Sequence, residues 1–474
     1  MRIKNFFSMW MVALAFLSCD PNEPDSIYVN TAPVISDYSF TVEEDIPDTQ
    51  VIGKLSASDV DGQKLTYAIF EDESGLFSIT ENGSLSLAGG MTLDYETATK
   101  HNLTVRVFDG IVGRYSEVEI EVVNVIEGLV EDPTSFITTW DIPADNTIIT
   151  IGTNLNYEYD FTIDWGDGST EQLTQQNPHH EYQLAGLYKV AIQGQFPAID
   201  MDNSDVTSRV SLYSIDQWGT NQWQTMERAF MGCLKMAYTA PDVPDLSLVT
   251  SMANMFANAK AFNANLNDWA VGNVINMSGL FANAVKFNGD ISSWDVSNVM
   301  DMSYMFNNAD SFNGNIDSWD VEGVTKMQYM FAGASSFNGN LSDWNVFFTN
   351  NMEAMFASAK SFNGDISNWE IPNVTNLFGM FVDAFAFDRS LGSWYISDVG
   401  NMQQMLDGSG MSRESYEATL KGWSDLADNL GLVMGPRTLG AVGLEYCSEE
   451  GMLAHDNLIN THGWTINGDS QQCN

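Results

Sequence analysis

Basic residues are scarce in this chain. Nineteen Lys and Arg stand against 63 Asp and Glu, which leaves a formal charge of −44 over 474 residues. A balance so acidic excludes nucleic acid and anionic lipid as partners and favours cations. Histidine is also rare: five residues, at 101, 179, 180, 455 and 462, are dispersed. His179-His180 has no Cys or carboxylate spacing suited to zinc, so a structural role is expected there. No Gly-x-Ser-x-Gly elbow, His-Glu-x-x-His, phosphate loop or Rossmann fingerprint occurs, and paired carboxylates carry no information in so acidic a chain. Nothing beyond residue 20 is long and apolar enough to span a bilayer. Cysteine is limited to positions 19, 233, 447 and 473.

What the chain has in abundance is repetition. Tryptophan falls at 269, 294, 319, 344, 369 and 394, a constant step of 25. Phe256 to Phe381 and Phe262 to Phe387 keep the same step. A fixed period of this size marks a stacked-repeat architecture. One copy offers Ile291, Trp294, Val296, Val299, Met302, Phe306 and Phe312, too little apolar surface to offset the entropy of ordering its own backbone. Neighbouring copies must therefore share their faces. Within a copy, Val299, Met302, Phe306 and Ala309 fall at helical spacing and predict a short helix, with a strand at Ile291 to Val296. Phe287-Asn288-Gly289 supplies a corner, the amide bonding turn backbone. Trp218 plus 25 is Val243, and Val243 plus 26 is Trp269, so two degenerate copies precede the regular ones and eight strands are expected.

The pattern Val-x-x-Met-x-x-Met-Phe-x-x-Ala-x-x-Phe-Asn-x-x-Ile-x-x-Trp resembles the 25-residue repeats of BspA-like bacterial surface lipoproteins, a variant of the leucine-rich repeat. The resemblance implies a right-handed solenoid with strands lining one face, here over 198–411. Polar residues lie between the inward ones, as in Asp290, Ser292, Asp295 and their counterparts Asp365, Ser367, Glu370, and are expected to form ribs on a ligand-binding face.

The first eighteen residues read as an export signal, with Arg2 and Lys4 before an apolar run from Phe6 to Leu17. Ser18-Cys19 resembles a lipobox, which implies a lipid on Cys19 and a tether over 19–32. With Cys19 so used, Cys447 and Cys473 are the expected disulfide, and Cys233 reads as a small core residue.

Residues 33–127 alternate apolar and polar positions, as in Leu103 to Val107, and read as an antiparallel sandwich. Acidic residues cluster at its turns, and hard oxygen ligands in such loops suit calcium. The clusters around Glu44, Asp59-Val60-Asp61, Asp94-Tyr95-Glu96 and Phe108-Asp109-Gly110 resemble those of a cadherin repeat. That resemblance implies Asp59, Asp61 and Asp109 at one end, and Glu44, Asp94 and Glu96 at the other. The chain departs from it at Val123-Asn124-Val125-Ile126-Glu127, where a cadherin repeat carries Asp-x-Asn-Asp-Asn. Residues 133–197, with Asp164-Trp165-Gly166-Asp167-Gly168 and Gly186-Leu187-Tyr188, resemble a PKD-type sandwich. Beyond 411 a small α/β cap is expected over 412–474. Its elements are a helix at Ser412 to Leu426 with Ser412 as N-cap, a strand at Gly431 to Met434, a helix at Ser448 to Asn460 and a strand at Trp464 to Ile466.

The expected fold is mainly β with short helices: two N-terminal β-sandwiches, a leucine-rich-repeat-like α/β solenoid and a small α/β cap. The expected function is that of an exported, lipid-anchored, non-enzymatic surface protein of a Gram-negative outer membrane or cell surface. It would serve calcium-dependent adhesion or capture of a protein or glycan ligand, touching membrane only through its lipid. The alternative is a carbohydrate-processing or hydrolytic component with its site hidden in the repeats.

Overall fold

The computed structural model describes residues 29–95, 97–125, 128–429 and 436–473. Cys19, Glu96 and the strand expected at 431–434 lie outside them. The chain divides into two compact units, residues 1–126 and 127–474.

In the first unit a four-stranded sheet runs in the order Tyr38–Glu43, Gly113–Val123, Lys100–Phe108, Thr66–Asp72. A second sheet runs Val51–Lys54, Ser84–Leu87, Phe77–Ile79. Alternation places Leu103, Val105, Val118, Ile120, Leu55 and Leu85 in the core between them. The sheet departs from the all-antiparallel expectation at one edge, where Tyr38–Glu43 runs parallel to Gly113–Val123. These are the first and last of seven strands. An even number of chain reversals between them returns both in the same direction.

The second unit opens with a six-stranded sheet: Thr170–Leu173, Asp160–Asp164, Gly186–Gln195, Phe136–Ile142, Leu212–Gln217, Ala237–Tyr238. Thr147–Thr150 pairs separately with His179–Tyr182. The sheet does not stop at Pro197. Leu212–Gln217 is antiparallel to Phe136–Ile142 on one side and parallel to Ala237–Tyr238 on the other, which carries the sheet into the first coils. One apolar core accordingly runs from Phe136 through the repeats to Trp464.

Neither the expected helix at Val299 to Ala309 nor the strand at Ile291 to Val296 forms. The spacing of three that mimicked a helix comes from successive β-turns. Amides of Met305, Asn307 and Ala309 donate to the carbonyls of Met302, Tyr304 and Phe306 at 3.2, 3.0 and 3.0 Å. Tyr304 and Asn308 have φ of +60° and +54°, a handedness no L-residue helix sustains. The alternate amides of Met302, Tyr304, Phe306 and Asn308 donate instead to Lys326, Gln328, Met330 and Ala332 of the next coil at 2.7 to 3.0 Å. Parallel pairing is reduced to single bridges along Ser251, Asn276, Asp301, Lys326, Asn351, Asn376 and Asn401.

Side chains stack in register with this ladder. Phe281, Phe306, Phe331, Phe356 and Phe381 have centroids 5.5 to 5.8 Å apart. The six regular indoles are buried, and those from Trp294 to Trp394 each donate Nε1 to the carbonyl at Leu266, Ile291, Ile316, Leu341 or Ile366 of the preceding coil at 2.8 to 3.2 Å. Each indole is thus apolar packing and a tie between coils at once. The corner asparagines act across coils rather than within a turn. Asn263, Asn288, Asn313 and Asn338 accept from the amides of Asn288, Asn313, Asn338 and Asn363 at 2.8 to 2.9 Å.

Helices Arg413–Asn429 and Glu449–Asn460, the latter N-capped by Ser448, close the last coil. The first lies against it closely enough that a Cβ on Gly422 would meet Gly392 O at 2.3 Å. Strand Thr438–Gly440 continues the bridge column from Met402 and pairs in parallel with Thr465–Asn467. Cys447 and Cys473 form a disulfide with Cα atoms 5.0 Å apart.

Candidate functional site

The first unit brings Asp59, Asp61 and Asp109 to one end of its sandwich. Asp59 Oδ1 accepts from the Asp61 amide at 2.8 Å, which closes a turn completed by Gly62 at φ +76°. Asp61 Oδ2 accepts from the Thr31 amide at 2.6 Å. Asp109 Oδ1 takes the amides of Ile111 and Val112 at 2.7 and 2.6 Å, and its Oδ2 takes Asn30 Nδ2 at 2.9 Å. Gln63 donates in turn to Asn30 Oδ1, so Asn30 and Gln63 tie the two loops together. Withdrawal from water pushes the Asp109 carboxyl up, but the bonds from Asn30, Val112 and Ile111 hold it below its ordinary range. Asp59 Oδ2 is buried with no partner among the described residues. Asn30 and Gln63 belong to none of the acidic clusters, and only proximity in the fold reveals them.

At the other end, Glu44 is buried and accepts from the amides of Tyr95 and Val125 at 2.6 and 2.7 Å. Asp94 accepts from the Thr97 amide at 3.0 Å and the Thr97 hydroxyl at 2.8 Å. Both act as loop clamps. Among the described residues, no group of three or more His, Cys, Asp or Glu is arranged to hold a metal ion.

On the coils, three of the residues expected on the ligand ribs cap turns. Asp290, Asp295 and Asp365 each accept from the amide two residues on, at Ser292, Ser297 and Ser367, at 3.0 to 3.1 Å. Bonds from those serines hold all three carboxyls below the usual range. In other coils the neutral Asn265, Asn315 and Asn340 occupy the place of Asp290 and accept the same bond. The position therefore calls for an oxygen acceptor rather than a charge. Glu370 is exposed beside Asn345 and Asn368 on a shallow surface.

The structure also exposes an aromatic pair that the repeat pattern hid. Tyr304 and Tyr329 stack at 4.9 Å and 4° on neighbouring coils, both in left-handed backbone. Tyr329 Oη donates to Glu353 at 2.8 Å, and that bond, with burial, pushes its phenol up to about 12. Elsewhere, His180 stacks on Trp165 and bonds Asp167 at 2.8 Å, a structural contact. Burial pushes the Cys233 thiol up, as befits a core side chain.

Residues 38–125 match the family model described as Cadherin domain. That segment supplies both carboxylate ends described above. The chain is also similar to Protocadherin Fat 2 of Rattus norvegicus, 34% identical over 101 residues, 21% of this chain and 2% of that protein. Protocadherin Fat 2 of Mus musculus matches equally. The chain spans only about 2% of the length of these relatives. Among solved structures, the third cadherin domain of human protocadherin 7 shares 21% identity, covering 23% of this chain and 98% of that one, at a TM-score of 0.19. Human Protocadherin-24 EC1-2 shares 18% identity, covering 32% of this chain and 62% of that one, at a TM-score of 0.20. The coils, at 224–333 and 310–420, match a family model described as Mycoplasma protein of unknown function, DUF285. The cadherin-like segment and the repeats thus bear separate likenesses, and no family model above covers the segment between them.

Proposed function

We propose that this chain is a lipid-anchored, non-enzymatic protein of the bacterial surface, in which the cadherin-like segment and the coils serve adhesion or partner binding. The observation that carries the reading is the cadherin-like segment itself, with Asp59, Asp61 and Asp109 held at one end through Asn30 and Gln63. Calcium is the cation that this donor set suits, being all hard oxygen, and the buried, unpartnered Asp59 Oδ2 is a ready ligand atom. When bound, the ion would draw the two loops together and stiffen that end for a partner. At the other end Glu44 and Asp94 already serve backbone amides, so the proposal places calcium at the first end only. The lipid is placed on Cys19, and the anchor on the outer membrane or cell surface. No helix among the described residues is long and apolar enough to cross a membrane, which is compatible with attachment by lipid.

Calorimetric titration of the full chain with calcium tests the cation. A dissociation constant in the range of extracellular modules, about 10⁻⁴ to 10⁻³ M, is expected, and it should vanish in Asp59→Ala. Absence of heat would leave only amide-bound turn aspartates. Radiolabelled palmitate tests the anchor: label should enter the chain and be lost in Cys19→Ser, and an unlabelled chain would remove the anchor.

A further inference from the structure

We infer that the cleft between the end of strand Gly186–Gln195 and the segment Thr220 to Gln224 is a binding site for a neutral oligosaccharide. It encloses about 730 Å³, within the roughly 300–1,000 Å³ typical of small-ligand sites. It arises because the central strand outruns its neighbour. Pairing with Phe136–Ile142 ends at Ile192, whereas pairing with Asp160–Asp164 continues to Gln195, so Gln193 to Gln195 form a free edge on one side.

The chemistry of the lining is that of amides and hydroxyls around a small apolar floor. On one wall the amides are fixed by their own donors: Gln195 Nε2 to Glu158 O at 3.2 Å, and Gln193 Nε2 to Thr134 Oγ1 at 3.0 Å and to Asp132. Asn221 Nδ2 is fixed to Phe196 O at 2.7 Å. These bonds spend N–H groups and leave side-chain oxygens as preorganised acceptors for hydroxyl donors. Opposite, Gln222 is held to Asp245 by a backbone bridge, and the Gln224 amide donates to Pro197 O at 2.8 Å. Their side-chain amides carry no hydrogen bond among the described residues, so both donors and acceptors remain for a ligand. Tyr157 is half-buried and Phe196 buried, which offers a ring and an apolar floor for the C–H face of a sugar.

Charge and polarity narrow the class of ligand. Among the described residues the charged groups in the lining are Glu158 and Asp245, with no Lys or Arg. With −44 on the whole chain, uronate and sulfated polymers are repelled. Vicinal hydroxyls, each donor and acceptor, match the amides. The site is built from the 127–474 unit alone, so its test is independent of the calcium and lipid tests above.

The test is calorimetric titration of the full chain with cellohexaose, maltohexaose, laminarihexaose, mannohexaose and chitohexaose, with heparin as the anionic comparison. At least one neutral hexasaccharide should bind. Gln222→Ala/Gln224→Ala should weaken it about tenfold or more at unchanged melting temperature, the loss of one or two hydrogen bonds. Should the double variant fold poorly, Gln222→Ala alone, at an exposed position, should still weaken binding several-fold. No heat from any neutral hexasaccharide, binding indifferent to both variants, or preference for heparin would overturn the assignment.

Discussion

A single side-chain oxygen does much of the work between coils. Asn313 accepts from the Asn338 amide at 2.9 Å while its own amide donates to Asn288 at 2.8 Å. Removing that oxygen strands one backbone donor, at a net cost of about 1 kcal/mol at an exposed position. Asn313→Ala should therefore lower the urea midpoint, whereas Asn313→Asp, which keeps an acceptor, should stay near the parent. Asp388 already stands where the ladder ends, accepting from the Ser412 amide and hydroxyl at 2.8 Å. An alanine variant as stable as the parent would show the ladder to be incidental. Tryptophan fluorescence suits the measurement, since twelve of the 13 indoles follow residue 127.

At the scale of elements, the regularity of the side chains outlived the error about the backbone. Apolar spacing of three and four was legible, and it correctly buried Val299, Met302, Phe306 and Ala309. It could not distinguish one helical turn from linked β-turns, because both return the chain after three or four residues. The deciding feature was the left-handed residue at Tyr304 and its equivalents, of which Asn254, Gly279 and Gly379 announce themselves by type whereas Tyr329, Ala354 and Gln404 do not. The closing helix was legible because its cap and apolar face are local. Its seat was not: the approach of Gly422 to Gly392 joins residues distant in the chain. Gly422→Ala should force the helix outward and destabilise the unit by roughly 1–3 kcal/mol. Chemical denaturation followed by indole emission will show it, and an unchanged midpoint would mean the helix is loosely seated.

For the whole molecule, the acidic excess has two opposed effects on stability. Turn-capping Asp245, Asp295 and Asp365 are held below the usual range, first by hydrogen bonds from Ser247, Ser297 and Ser367. A carboxyl depressed in the folded state stabilises above its unfolded value, about 3.9, and loses that contribution as pH falls toward the folded value. Relief of repulsion from a charge of −44 acts in the opposite sense. With Asp290 depressed in the same way, the carboxylate-capped turns should dominate. The urea midpoint is expected to vary little between pH 7 and 5 and to fall below about pH 4. A rise there would show charge relief to be the larger effect.

The sequence alone determined the period, the buried columns and the cadherin-like acidic loops, because each depends on residue type at short range. Tertiary structure decided which amide each oxygen serves. That drew Asn30 and Gln63 into the carboxylate end. It also opened the amide-lined cleft, which exists only where one strand outruns its partner. The physical reason is common to both: a hydrogen bond is satisfied by whatever the fold brings near, and spacing along the chain does not carry that distance.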